Sequence, residues 1–202
     1  MNHLDQRNPP AMKTLTIEQD IDPESPRSWD NLGTMACAHG RYNLGDKEAD
    51  LTPITKHCDS WKEVKRRLIT EEGAKVILPL YLYDHGDLTI STQPFSCPWD
   101  SGQVGFIYIT KAKLHQEFPS WKRITKQRRE KLEKYLRAEV EVYDQYLTGQ
   151  VFGFIIKDEG KETDSCWGFF GEDVDGIAEH AGVPPAIVHQ AFDNIGEGIP
   201  FQ

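Results

Sequence analysis

The densest group of reactive side chains in this sequence is Pro94-Phe95-Ser96-Cys97-Pro98-Trp99-Asp100-Ser101-Gly102-Gln103. It places a thiol, a carboxylate, two hydroxyls and a large aromatic ring in one short stretch. The nearby Asp84-His85-Gly86-Asp87 adds an imidazole and two more carboxylates. Cys97, His85 and Asp100, with His39 as a second possible base, are the candidate catalytic residues of a small hydrolase. A thiol of this kind becomes a nucleophile when an imidazole takes its proton at about 3 Å. If strands flank the 84–87 turn, however, His85 sits at one end of a hairpin. Cys97 then starts near the other end, about five residues of roughly 3.3 Å away, unless the loop folds back. A buried structural thiol beside Trp99 is the plainer reading, because free cysteine is commonly a small core residue.

Cys37-x-His39 and His57-Cys58 form a second group with metal-ligand chemistry. Zinc sites use pairs spaced by two to four residues. The adjacent His57 and Cys58 diverge on either a strand or a helix, so both cannot readily face one ion. Cys37, His39, His57 and Cys58 therefore suit zinc poorly; no metal site and no cofactor is expected. For binding rather than chemistry, the tryptophan-bearing loops stand out. Trp29, Asp30, Trp99 and Asp100 are the candidate contact residues, since aromatics dominate binding hot spots.

The elements that must position these residues follow from periodicity and turn chemistry. Trp61, Val64 and Leu68 form one stripe of a short helix over 60–70, capped by Asp59-Ser60 and ended at Gly73. Residues 76–83 are an apolar and aromatic run typical of a buried strand, with Pro79 marking an edge or bulge. Gly86 supplies the turn, and 88–92 alternates as the return strand. Residues 104–110 read as a third strand, and a short helix over 111–118 follows. The clearest helix spans 125–147, with Thr125 as N-cap. Leu132, Tyr135, Leu136, Val140, Tyr143 and Leu147 lie on one face, and Gly149 sits just past its end. Residues 150–157 and 164–170 read as a hairpin, and 173–182 and 185–194 as two short helices. The turn-rich but aromatic 20–53 stretch reads as an ordered irregular loop.

These elements predict an α+β fold with a mainly antiparallel sheet of about five strands, one long helix and several short ones. The expected organisation is a flexible arm over 1–19, a single domain over 20–171, and an acidic helical appendage over 172–202 packed on it.

Charge limits the partners. The 202 residues carry 23 Lys and Arg against 32 Asp and Glu, for a net −9. Residues 1–60 hold 6 basic and 10 acidic side chains, 61–149 hold 15 and 12, and 150–202 hold 2 and 10. The C-terminal pattern Ile177 to Val183, then Val188, has the spacing of a helix-turn-helix, yet Lys and Arg are missing from it. A recognition helix without cations meets phosphate repulsion, so direct DNA binding is not expected. The basic run Lys122, Arg123, Lys126, Arg128, Arg129 and Lys131 lies instead at a helix N-terminus, where cations oppose the macrodipole. The sequence is read as having no membrane span and no secretory signal, with its four cysteines as thiols.

Several long strings carry a resemblance. They are Asp22 to Met35 (Asp-Pro-Glu-Ser-Pro-Arg-Ser-Trp-Asp-Asn-Leu-Gly-Thr-Met), Tyr42 to Asp46 (Tyr-Asn-Leu-Gly-Asp), Leu78 to Asp84, Pro94 to Gly105, Tyr143 to Gly149 and Cys166 to Gly171. Together, over roughly residues 20–171, they resemble a family of uncharacterised proteins of bacteriophages and other bacterial mobile elements. The resemblance brings no activity and no catalytic residues. It implies the cytoplasm of a bacterial host as the setting, where small accessory proteins act on host or defence factors.

The reading that joins these features is a non-enzymatic accessory protein that binds a host macromolecule, a protein with a basic surface. The alternatives are a small hydrolase around Cys97 and a zinc-stabilised binding module. Oligomeric state is not legible in the sequence.

Overall fold

A computed structural model describes residues 12–201. The described chain divides into two compact units, one of residues 12–24 and 149–201, the other of residues 25–148. Each is α+β and built on a four-stranded antiparallel sheet. The expected antiparallel α+β class is therefore present, but with eight strands in two sheets among the described residues rather than about five in one.

The first unit joins the chain's two ends. Strand β1 (Lys13–Gln19) pairs with β6 (Val151–Asp158) and β8 (Ile199–Phe201), and β6 pairs with β7 (Lys161–Phe170), giving the order β7-β6-β1-β8. Residues 13–19 were expected in a polar arm. They form a strand because Leu15 and Ile17, both fully buried, meet Phe154, Ile156 and Ile199. Residues 1–11 of that arm lie outside the described residues. Glu159-Gly160, both at positive φ, turn β6 into β7. Helices α5 (Val174–Ala181) and α6 (Pro185–Phe192) bury Ile177, Ala178, Val188 and Ala191 in the same core. Between them Gly182 takes the left-handed conformation that a helix end favours. The helix-turn-helix spacing thus belongs to a packing hairpin, and the chain continues past it into β8.

The second unit has sheet order β2-β5-β3-β4, formed by Thr34–Cys37, Ser101–Thr110, Ala74–His85 and Asp87–Ser91. Both faces are covered. Met35, Cys37, Ile107 and Ile109 pack with Leu132, Leu136, Val140 and Tyr143 of the long helix α4 (Lys126–Leu147). Their alternate neighbours Ala36, Phe106 and Tyr108 pack with Val64 and Leu68 of α2 (Trp61–Thr70). A central strand buried on both sides explains why β5 reads as a continuous apolar run. Pro79 stands where β3 pairs only with β5, because the β4 ladder begins at Tyr81, so its missing N–H breaks no second ladder. Short helices α1 (Thr52–Thr55) and α3 (Lys111–Glu117) complete the unit. Tyr135, expected on the apolar face of α4, is 42% exposed.

The irregular 25–50 segment is ordered around Arg27, whose side chain is 4% exposed. Its Nε donates to Asp46 Oδ1 (2.7 Å), Nη1 to Glu139 Oε2 (3.0 Å) and Nη2 to the Gly33 carbonyl (2.6 Å). Glu139 also accepts from the amides of Leu32 (2.9 Å) and Gly33 (3.1 Å), and Asp46 from the Met35 amide (3.0 Å). Burial by itself lowers the guanidinium pKa, but hydrogen bonds and charge from Asp46 and Glu139 outweigh it, so the net shift is upward. The fork geometry of arginine satisfies three separate acceptors at once. Gly45 closes the loop at positive φ, its amide bonded to Tyr143 Oη (3.0 Å), and a Cβ there would strike the Met35 carbonyl.

Removing one partner of a buried charge network leaves the others uncompensated, at roughly 3–5 kcal/mol. Arg27→Ala is therefore expected to lower unfolding free energy by about 3 kcal/mol in urea. Arg27→Lys is expected to recover only part, since an ammonium cannot make the three-way contact. A loss under about 1 kcal/mol, the scale of an exposed pair, would contradict this assignment.

Candidate functional site

The turn between β3 and β4 carries Asp84, His85, Gly86 and Asp87, with Gly86 at positive φ. The loop over 92–100 then leaves β4 and returns to the start of β5. Tyr83 stands opposite Ser101, and the Asp84 amide donates to the Asp100 carbonyl (2.8 Å). The loop thus folds back along the hairpin and brings Asp100 to the His85 end. His85 Nδ1 lies 3.2 Å from Asp100 Oδ2, and Cys97 Sγ lies 3.6 Å from the same oxygen. The loop takes the fold-back that the sequence left open, and Cys97 and His85 converge on one carboxylate.

The order of that contact decides the chemistry. A nucleophilic pair needs the imidazole on the sulfur, with a carboxylate behind the imidazole to orient it. Here Asp100 is the middle member and meets both thiol and ring. The arrangement organises a loop more directly than it activates a thiol. Ser101 Oγ reinforces it by donating to the Cys97 carbonyl, and Tyr83 packs near both His85 and Phe95.

Beside this cluster lies a recess of about 340 Å³, lined by His39, Arg41, Asp84, Trp99, Asp100 and Gln103 among others. Arg41 forms an ion pair with Asp84 and lies over the Tyr42 ring, 5.3 Å from its centroid. His39 stacks on Tyr42 with centroids 5.1 Å apart. His39 also lines a neighbouring recess of about 520 Å³ with Cys37, Asp46, Tyr143 and Tyr146. Trp99 is 90% exposed, so a large apolar ring stands in water on a loop pinned by its neighbours.

Of the sequence candidates, His39, Trp99 and Asp100 therefore share one recess, and Cys97 and His85 join it through Asp100. Trp29 and Asp30 do not. Asp30 accepts from Lys113 Nζ (2.7 Å), and Lys113 follows the far end of β5 from Asp100. Ten strand residues span about 30 Å. The proposed zinc ligands are likewise dispersed. Cys37 is buried on the α4 side of the sheet, Cys58 packs on the α2 side, and His57 is exposed. Among the described residues no group of three or more His, Cys, Asp or Glu is placed to hold a metal ion. Arg41 is a recess residue that the sequence did not single out, and Gln103 entered only as the end of the 94–103 string without a role. Neither lies on a periodic face, and only the β3–β5 register and the path of the 38–46 loop bring them in.

Cys37 provides a measurable marker for this region. Burial, with the nearby Asp46 charge adding to it, pushes its thiol from the ordinary 9.0 up to about 12. A raised folded-state value means the thiol's contribution to stability is whole below about pH 9 and lost as pH rises toward 12. Between pH 8 and 10 the wild type is expected to lose about 1 kcal/mol more than Cys37→Ala in urea titrations. Parallel declines for the two proteins would place Cys37 outside the sealed core.

Comparison with family models, with curated proteins and with solved structures yields no match. What the chain does therefore rests on the chemistry of its own side chains.

Proposed function

We propose that this protein is a non-enzymatic accessory factor that binds a host protein through the Trp99 loop. The observation that carries this reading is the exposure of Trp99, at 90%, on a loop fixed by backbone and side-chain hydrogen bonds. A loop already held in place loses little backbone freedom on contact, and exposed aromatic rings dominate interface energetics. The adjacent recess offers Arg41, Asp84 and Gln103 as polar partners around that anchor. Charge supports a basic partner. The whole chain carries a net −9, and Asp84 and Asp100 line the recess beside the ring. The phage or mobile-element setting, in a bacterial cytoplasm with a host or defence factor as target, is supported by the Asp22 to Met35 and Pro94 to Gly105 strings. Among the described residues no helix is long and apolar enough to cross a membrane.

A second reading, a small hydrolase, is favoured by one observation: Cys97 and His85 converge on Asp100. It requires His85 to turn from the carboxylate to the sulfur when substrate enters. Mapping the sites of a limiting alkylating probe separates the readings. Fast selective labelling of Cys97 over Cys58 and Cys166 supports the enzyme; labelling spread among them supports the binding protein.

Trp99→Ala is expected to abolish capture of a specific partner from bacterial lysate at low salt without shifting the urea midpoint. Wild-type capture should weaken as salt rises, because steering between opposite charges is screened. Capture that survives Trp99→Ala, or no specific partner at any salt, would overturn the proposal.

A further inference from the structure

A different surface of the 25–148 unit has chemistry that the host-protein reading does not use. A recess of about 270 Å³ is lined by Lys75 of β3, Lys111 and His115 of α3, and Lys122 and Arg123 of the segment before α4, and Asp and Glu are absent from that lining. Its apolar floor is Leu114, Trp121 and Ile124. All five basic side chains are exposed, and among the described residues Lys75, Lys111, Lys122 and Arg123 take part in no ion pair. Trp121 is fixed between aromatic and cationic neighbours, its centroid 4.2 Å from Phe118 and 4.4 Å from the Arg128 guanidinium carbon.

This clustering is unfavourable for the protein alone. Like charges repel, and Lys126, Arg128 and Arg129 fall in the first turn of α4 without an acidic residue to complement the macrodipole. The same features that cost stability build a positive potential over a concave surface, which is what an anion requires.

We infer that this recess binds the phosphodiester backbone of single-stranded nucleic acid without reading its sequence. Three observations select that occupant. Whole small-molecule ligands occupy pockets of about 300–1,000 Å³, so about 270 Å³ suits one phosphate-and-sugar unit of a longer chain. The unpaired cations Lys75, Lys111, Lys122 and Arg123 come from three separate elements, so several successive phosphates can be neutralised. The recess is concave, and a folded acidic protein would meet its rim while leaving the floor unfilled. Base stacking on Trp121 is not part of the proposal, since Phe118 and Arg128 already lie over that ring.

The test is fluorescence anisotropy with labelled oligo-uridine and oligo-thymidine of twelve nucleotides, and with an oligo-glutamate of equal charge. Four neutralised phosphates at about 0.7 counterions each predict roughly a 50-fold loss of affinity between 50 and 200 mM salt. Lys122→Glu/Arg123→Glu is expected to weaken binding of the oligonucleotides at least tenfold. Lys157→Glu/Lys161→Glu, which makes the same charge change on β6 and β7, should leave it within twofold. Binding of both oligonucleotides supports a backbone contact that tolerates either sugar. No binding at 50 mM salt, equal weakening by both double variants, or equal affinity for oligo-glutamate would overturn the proposal.

Discussion

The three-way contact of Arg27 is the constraint on which the 25–148 unit depends. Without it, a stretch rich in Pro, Gly, Asn and Asp would have little reason to hold one conformation, because conformational entropy favours its release. The guanidinium ties Asp46, Glu139 and the Gly33 carbonyl together, and the two carboxylates then hold the amides of Leu32, Gly33 and Met35. One buried cation thereby anchors both ends of a loop to α4. The segment it fixes carries β2 into the sheet and delivers His39 and Arg41 to the recess beside Trp99.

Order in that loop also bears on function. A binding surface made of loops is effective when its cost of ordering has been met by the fold. The Trp99 loop is held by Asp100, Ser101 and the Asp84 amide, and its neighbour across the recess is held by Arg27 through Asp46. The two fixed loops frame an exposed ring and a paired Arg41–Asp84. The basic recess near Trp121 rests on another device, the packing of the segment before α4 against Phe118 and Arg128. One compact unit of net +2 thus offers two polar recesses of different character.

Much of the local structure was legible in the residues. Periodicity located α2 and α4, Gly86 marked the β3–β4 turn, and Gly182 marked the α5–α6 turn. The strands β1, β2 and β8 were not legible, for a common physical reason. β2 and β8 are short, and all three gain their burial from partners distant in sequence: Leu15 and Ile17 need Phe154 and Ile199, and Met35 needs Ile107 and α4. No local window contains that information. The candidate site divides in the same way. Cys97, Trp99 and Asp100 were visible as a cluster of types. The meeting of Asp100 with His85 was not, because it depends on the 92–100 loop folding back to the β3–β5 register. Arg27 and Glu139, separated by 112 positions, gave no local signal at all.

The central claim is that the irregular 25–50 segment is a built structural element rather than a tether. Native-state amide hydrogen exchange at Leu32, Gly33 and Met35 tests it most directly, since these N–H groups donate to Glu139 and Asp46. The account predicts protection within about tenfold of that in the central strand β5, because opening the segment requires breaking the Arg27 network. Exchange at the rate of an open loop, with β5 still protected, would contradict it.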